Sequence, residues 1–143
     1  MKLEEIELMW QEDCHIDRTS LDQESIKIPL LHSKYYKIFL REKMQLKIED
    51  SEYKQFYKLK HEYYTGKLSQ EELNQYGWEQ FQFILKGDLS VYIDSDKDLA
   101  QRLIKLQIQK EKVELLDSII KTLNTRGFLI KNAIDFIKFS NGN

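Results

Sequence analysis

Lysines and tyrosines crowd into one stretch of this chain, Tyr57-Lys58-Leu59-Lys60-His61-Glu62-Tyr63-Tyr64-Thr65-Gly66-Lys67. Ammonium groups neutralise phosphates and release their counterions. Tyrosine rings offer flat faces on which bases stack whatever their identity. On a helix, Lys54, Lys58 and His61 share one face, with Lys47 further back on it. Lys60, Tyr64 and Lys67 form a second face, and Tyr57 lies beside it. The same pattern also fits a core of Tyr53, Phe56, Tyr57, Tyr63 and Tyr64 with lysines snorkelling around it. The residues alone leave both readings open.

Other chemistry is poorly served. The five glycines are isolated, so there is no glycine-rich phosphate loop. Cys14-His15 with Asp17 lacks the further ligands of a zinc site, and neighbouring residues point different ways, which argues against a nucleophile pair. We read Cys14 as a buried thiol beside a loop histidine. Asp94, Asp96 and Asp98 lack the glycine and glutamate of a calcium loop and are better explained by helix capping. The expectation is therefore a protein that is not an enzyme, with no cofactor and no metal.

The 143 residues are most simply one compact domain. One proline and five glycines leave little for loops, so the composition reads as mainly helical. No apolar run approaches the ~20 residues of a membrane span, and the acidic, amphipathic start Met1-Lys2-Leu3-Glu4-Glu5 does not read as a signal peptide. A single cysteine excludes an internal disulfide framework and points to a reducing cytoplasm. The net charge of -2 hides a strong alternation. Residues 1–33 carry three basic and eight acidic side chains, and residues 34–67 carry nine and five. Residues 68–98 carry two and seven, and residues 99–143 carry eight and four. Either basic block could meet phosphates, and either could equally be a solvated helix face.

The elements that would hold the lysine–tyrosine stretch follow from periodicity. Leu3, Ile6, Leu8, Met9 and Trp10 predict a short amphipathic helix ending near Asp13. Ser20 and Gln23 read as the start of a long helix toward Tyr64. Pro29 is expected to kink or restart it, Asp50-Ser51 to interrupt it, and Gly66 to stop it. Ser69 with Glu72 forms another capping box, and Gly77 closes that short helix. Phe81, Phe83 and Leu85, then Leu89, Val91 and Ile93, alternate about Gly87-Asp88 and predict a small β-hairpin over about 80–94. Ser95 or Asp94 then caps a helix from about Asp96 to Thr125. Arg126-Gly127 is expected to end it, and a last helix, Phe128 to Phe139, is apolar almost all round. Such a helix exceeds what a small chain can bury, so this C-terminal helix pair is read as the oligomerisation element.

Four segments resemble one known family. The lysine–tyrosine stretch is similar to the Leu-Lys-Ala-Arg-Leu-Asp-Tyr-Tyr-Ser-Gly-Arg of the UvsY family, the recombination mediators of myovirus-type bacteriophages. Ile16-Asp17-Arg18-Thr19-Ser20-Leu21 resembles that family's Ile-Asp-Ser-Thr-Lys-Leu. Ser95-Asp96-Lys97-Asp98-Leu99 resembles Ala-Asp-Lys-Asp-Val. Thr125-Arg126-Gly127-Phe128-Leu129-Ile130-Lys131 resembles Ser-Arg-Gly-Phe-Ala-Ile-Lys. The resemblance runs in register over nearly the whole chain. It implies a non-enzymatic accessory protein that forms a closed ring, a hexamer or heptamer, through its C-terminal region. It further implies binding to single-stranded DNA, destabilisation of the single-strand-binding protein complex, and loading of a RecA-like recombinase of the UvsX type, in the host cytoplasm. Lys58 and Lys60 fall on the family's two basic positions linked to DNA. Lys60 stands where the family has arginine and His61 where it has leucine, which keeps the charge but loses the planar guanidinium.

The resulting expectation is a mainly α subunit with one small hairpin and a C-terminal helix pair forming a ring. Residues 1–94 would form the DNA-binding region and residues 95–143 the oligomerisation helices. Lys58, Lys60, Lys54, Lys67, Tyr63 and Tyr64 would face DNA. Leu116, Ile120, Leu123, Phe128, Ile130, Ile134 and Ile137 would join subunits. The competing readings are a coiled-coil scaffold without DNA contact and an inhibitor that binds a host protein through an apolar or acidic patch, for which the acidic N-terminal third is one candidate. No membrane role is expected.

Overall fold

The computed structural model describes residues 1–82 and 85–142. Five α-helices carry the chain: α1 (Leu3–Asp13), α2 (Leu21–Tyr64), α3 (Gln70–Tyr76), α4 (Leu89–Asp94) and α5 (Lys97–Ser140), with a 3-10 turn at Lys86–Asp88. They divide into two compact units. Unit 1 comprises Met1–Gln45 and Ile108–Asn143, and unit 2 comprises Leu46–Gln107. Each therefore draws on residues from both sides of position 94.

Unit 1 is built on aliphatic packing. Ile6 of α1, Tyr35 of α2, and Leu116, Ile119, Ile120 and Leu123 of α5 form its buried cluster. Their spacings on α5, three and four residues apart, put one stripe of that helix inward. Fully burying each such side chain contributes about 1.5–3 kcal/mol. Trp10 meets the Tyr35 ring edge-on at 5.4 Å, and the Tyr35 hydroxyl donates to Asp13 Oδ2 at 2.7 Å.

A buried arginine fastens the same unit. Arg126 is only 3 % exposed. Its Nη1 donates to the Asp13 carbonyl at 2.7 Å, and its Nη2 donates to the His15 carbonyl and to Glu24 Oε2, both at 3.0 Å. One guanidinium thus ties the end of α1, the loop after it and the first turn of α2 to α5. Burial by itself pushes the Glu24 carboxyl up, but Lys27 and Arg126 outweigh it and hold the group below its ordinary value. Several turns away along α5, Gln109 donates to both the carbonyl and the carboxylate of Glu42.

Two expected breaks do not occur. Helix α2 runs through Pro29 without interruption. An interior proline costs about 3 kcal/mol, but buried Leu21 and Tyr35 hold the helix on either side of it. Asp50-Ser51 likewise lies within the helix. The expected C-terminal helix pair is a single helix, because α5 continues through Arg126-Gly127. Leu123 and Ile130 are both buried, two turns apart on one face. That burial exceeds the ~1 kcal/mol penalty of a helical glycine.

The hairpin is also corrected. Phe83 lies outside the described residues, and among the described residues there is no strand. Leu89, Val91 and Ile93 belong to α4. An i, i+2, i+4 pattern contains an i, i+4 pair, so Leu89 and Ile93 also share one helical face. Val91 is exposed, as that face requires.

Other local signals act as the sequence predicts. The Ser69 hydroxyl accepts from the Glu72 N–H at 3.2 Å, and Glu72 accepts from the Ser69 N–H at 3.4 Å. Gly77 takes φ +69° and closes α3, with Trp78 N–H donating to the Leu73 carbonyl. Gly66 takes φ +72° just past the end of α2. Cys14 is exposed rather than buried, because it follows α1 where the chain leaves the core. No described helix is long and apolar enough to cross a membrane.

Candidate nucleic-acid interface

Unit 2 holds the lysine–tyrosine stretch on the last turns of α2, and it sorts those residues into two groups. Lys60 turns inward and is 5 % exposed. Its ammonium sits 3.2 Å from Asp96 Oδ2 and 3.1 Å from Asp98 Oδ2. It also lies 4.2 Å from the centre of the Trp78 ring. Two carboxylates and an aromatic face thus meet the charge of Lys60 within the subunit.

Asp96 is the pivot of this clasp. Its Oδ1 accepts the Leu99 N–H at 2.9 Å, so Asp96, not Ser95 or Asp94, caps α5. Its Oδ2 accepts from the Tyr64 hydroxyl and from Lys60. Burial alone would raise the Asp96 pKa, but the bonds from Tyr64, Leu99 and Lys60 lower it overall. Burial, and then the bond to Asp96, push the Tyr64 phenol far above its ordinary value. Tyr64 is thus a neutral donor.

Tyr63 is equally committed. Its hydroxyl donates to the Glu79 carbonyl at 2.9 Å, and its ring contacts Trp78 at 5.1 Å and Phe81 at 5.7 Å. Both tyrosines of the pair help to build unit 2.

The remaining lysines point to solvent. The Lys58 side chain is 80 % exposed and has Glu62 at 3.9 Å. Lys54 is exposed and pairs with Asp50 at 2.8 Å, one turn away. Such surface pairs contribute little and give way readily to a phosphate. Lys67 is exposed beyond Gly66.

The sequence reading missed two partners of Lys58. Arg102 and Tyr76 line the same surface cleft of about 510 Å³ as Lys58, together with Phe56, Glu52 and Glu62. The Arg102 guanidinium stacks 3.8 Å from the centre of the Phe56 ring, and exposed Tyr76 stacks on Trp78 at 4.8 Å and 25°. The run Tyr76-Gly77-Trp78, two aromatics about a capping glycine, was the available signal. Arg102 carried none, being one charge among many on a long helix.

Of the residues expected to join subunits, Leu116, Ile120, Leu123 and Ile130 are buried inside unit 1. Their apolar surface is covered by their own chain. Ile134 is half-buried, and Ile137 and Phe128 are exposed, Phe128 to 70 %. Among the described residues no group of three His, Cys, Asp or Glu side chains is placed to hold a metal ion.

A helical protein that presents lysine, arginine and aromatic side chains in one cleft is of the class suited to a single nucleic-acid strand. Comparison with known proteins defines it further. The family model described as "Recombination, repair and ssDNA binding protein UvsY" matches residues 9–143, and the chain belongs to that family. The family is described by binding and recombination, not by a catalysed reaction. The recombination protein uvsY of Enterobacteria phage T4 is 24 % identical over 142 residues, covering 99 % of each chain. A crystal structure of the bacteriophage T4 recombination mediator protein UvsY, lattice type II, superposes with a TM-score of 0.84 at 23 % identity, covering 99 % of this chain and 98 % of that one. Lattice type IV of the same protein gives 0.82 at 22 % identity, covering 97 % and 99 %. These superpositions establish the fold.

Proposed function

We propose that this chain is a recombination mediator. It binds single-stranded DNA, destabilises the complex of that DNA with single-strand-binding protein, and promotes loading of a RecA-like recombinase of the UvsX type. It works in phage homologous recombination and repair, in the host cytoplasm. Family membership supports the setting. The observation that carries the DNA contact is the cleft in unit 2 where Lys58, Arg102 and Tyr76 meet.

In this reading Lys58, Arg102, Lys54 and Lys67 neutralise phosphates, and Tyr76 offers a face to a base. Lys60, with Tyr63 and Tyr64, positions that surface from behind. Residues 1–94 supply most of the DNA contact and residues 95–143 the assembly. The ring, a hexamer or heptamer, closes through the apolar residues that α5 leaves uncovered, Phe128, Ile137 and Phe139, the last 81 % exposed, together with half-buried Ile134. An isolated cleft is small. A ring repeats it, and a strand held at one subunit meets the next at high effective concentration.

A single-strand titration by fluorescence anisotropy at several salt concentrations tests the reading. The logarithm of affinity should fall with the logarithm of salt at a slope of roughly -0.7 per phosphate neutralised. Lys58→Ala with Arg102→Ala should make the slope shallower while leaving the oligomer intact. Salt-independent binding would sink the phosphate model. Phe128→Ser with Phe139→Ser should give smaller species in sedimentation; an unchanged oligomer would remove α5 from the ring interface.

A further inference from the structure

A second cavity lies in unit 2, of about 810 Å³, between the end of α2 and the segment that follows α3. It falls within the roughly 300–1,000 Å³ of small-ligand clefts. It shares no lining residue with the Lys58 cleft.

One wall is apolar and aromatic, formed by Tyr64, Phe81 and Leu89. The Tyr64 and Phe81 rings meet edge to face at 4.9 Å. Phe81 also meets Tyr92 edge-on at 5.2 Å, and the Tyr64 hydroxyl is held by Asp96. Both rings are thus fixed before anything binds, and both remain only half-buried. The rest of the lining has the opposite character. Lys67 and Lys86 are exposed cations, His61 stands beside them, and no aspartate or glutamate lines the cavity among the described residues. Gln80 and Gln82 add amides that can donate or accept.

Fixed aromatic faces, two cations, amides and no carboxylate match a planar heterocycle attached to an anionic backbone. We infer that this cavity takes one base splayed out from a single DNA strand. The base stacks on Phe81 and Tyr64, while Lys67 and Lys86 neutralise the phosphates on either side of it. The inference rests on the single-strand reading above and deepens it: each subunit grips the strand at an anchored base as well as through its phosphates. Stacking is tolerant of base identity, and the glutamine amides can serve the edge of any base, so the anchor works on any sequence.

Two strands of equal length separate the base from the backbone: oligothymidylate, and the same backbone with every base replaced by an abasic residue. Wild-type protein should bind the abasic strand roughly tenfold more weakly, the scale of one lost stacking contact. Phe81→Leu keeps the apolar volume and removes the aromatic face. It should weaken oligothymidylate by a similar factor and leave the abasic strand unchanged, whereas Lys58→Ala should weaken both alike. Equal wild-type affinity for the two strands overturns the base anchor and leaves the phosphate reading standing. So does a Phe81→Leu variant that binds oligothymidylate like wild type, or that weakens both strands equally. Failure of wild-type protein to bind either strand at low salt overturns the single-strand reading itself. Photocrosslinking of the unmutated protein to a strand carrying 5-iododeoxyuridine gives an independent readout. Adducts on Phe81 or Tyr64 support the anchor, and adducts confined to Tyr57 and Tyr76 overturn it.

Discussion

Each unit of this protein encloses one cation from a long helix, and the two cations are housed very differently. Arg126 in unit 1 spreads its guanidinium over two backbone carbonyls and one carboxylate. Lys60 in unit 2 places a point charge between Asp96 and Asp98, against the Trp78 face. Around Arg126 lies an aliphatic core that would hold its helices together in any case. Around Lys60 lies an aromatic shell of Phe56, Tyr63 and Trp78, in a unit whose own buried aliphatic side chains include Leu73, Leu99 and Leu106. A planar fork suits the joining of several chain segments, and a compact ammonium suits a carboxylate pair. Unit 2, which adds these polar and aromatic contacts, is also the one that carries Lys54, Lys58 and Lys67 and both clefts.

The contrast can be broken one unit at a time, because Trp10 lies in unit 1 and Trp78 in unit 2. The largest effect should come from Arg126→Met. It strips two carbonyls and one oxygen of buried Glu24 of their Arg126 donor, leaving Lys27 alone on the other carboxylate oxygen, at a cost of about 3–5 kcal/mol. Denaturant unfolding followed at Trp10, in a Trp78→Phe background, should show the loss; an unchanged midpoint would mean the aliphatic core alone sets the stability of unit 1.

Lys60→Met should cost somewhat less, about 2–3 kcal/mol, because Tyr64 and the Leu99 N–H still serve Asp96. The loss should be read at Trp78 and should weaken DNA binding through unit 2. Asp96→Asn should weaken DNA binding as well, although it removes a negative charge. If Asp96→Asn tightens binding while Lys60→Met weakens it, Lys60 contributes through charge and not through the clasp.

A smaller effect follows from pH. The folded state lowers the Asp96 pKa, so the clasp favours the ionised carboxylate. That contribution is fully present above the unfolded value of about 3.9 and is lost as pH falls through the lower folded value. Acid unfolding at Trp78 should therefore begin below about pH 4, and Asp96→Asn should flatten that limb of the curve. A limb that stays equally steep would assign the acid sensitivity to other carboxylates.

The smallest effect tests the continuity of α5. A Cβ on Gly127 would meet only Ile28 Cδ1, at 4.0 Å. Gly127→Ala should raise stability by about 0.5–1 kcal/mol through helix propensity. A destabilised variant would mean that the helix needs to bend there.

Much of this architecture was legible before any coordinates. The end of α1 near Asp13, the Ser69–Glu72 capping box and the stops at Gly66 and Gly77 are local events between residues a few positions apart, so sequence alone specifies them. Family membership was legible as well, because it rests on residue types in order. The Lys58 cleft was half legible: the lysine stood out by its spacing, but Arg102 and Tyr76 join it from other elements. Short patterns were ambiguous where two periods coincide, as at Leu89, Val91 and Ile93. Whether a helix passes through Pro29 or Gly127 depended on long-range burial of Leu21, Tyr35, Leu123 and Ile130, which outweighs local propensity.

The side of the surface on which each charged or apolar residue falls belongs to the tertiary structure. Lys58 and Lys60 are two residues apart and carry the same formal charge, yet one meets solvent and the other two carboxylates from a distant segment. Leu123 and Phe128 both read as apolar positions on α5, yet one is core and the other is bare. Residue order sets which groups are available and which helices they ride on. Which of those groups have their charge or apolar surface satisfied within the subunit depends on partners brought near only by folding, and the groups left unsatisfied are those free to meet DNA or another subunit.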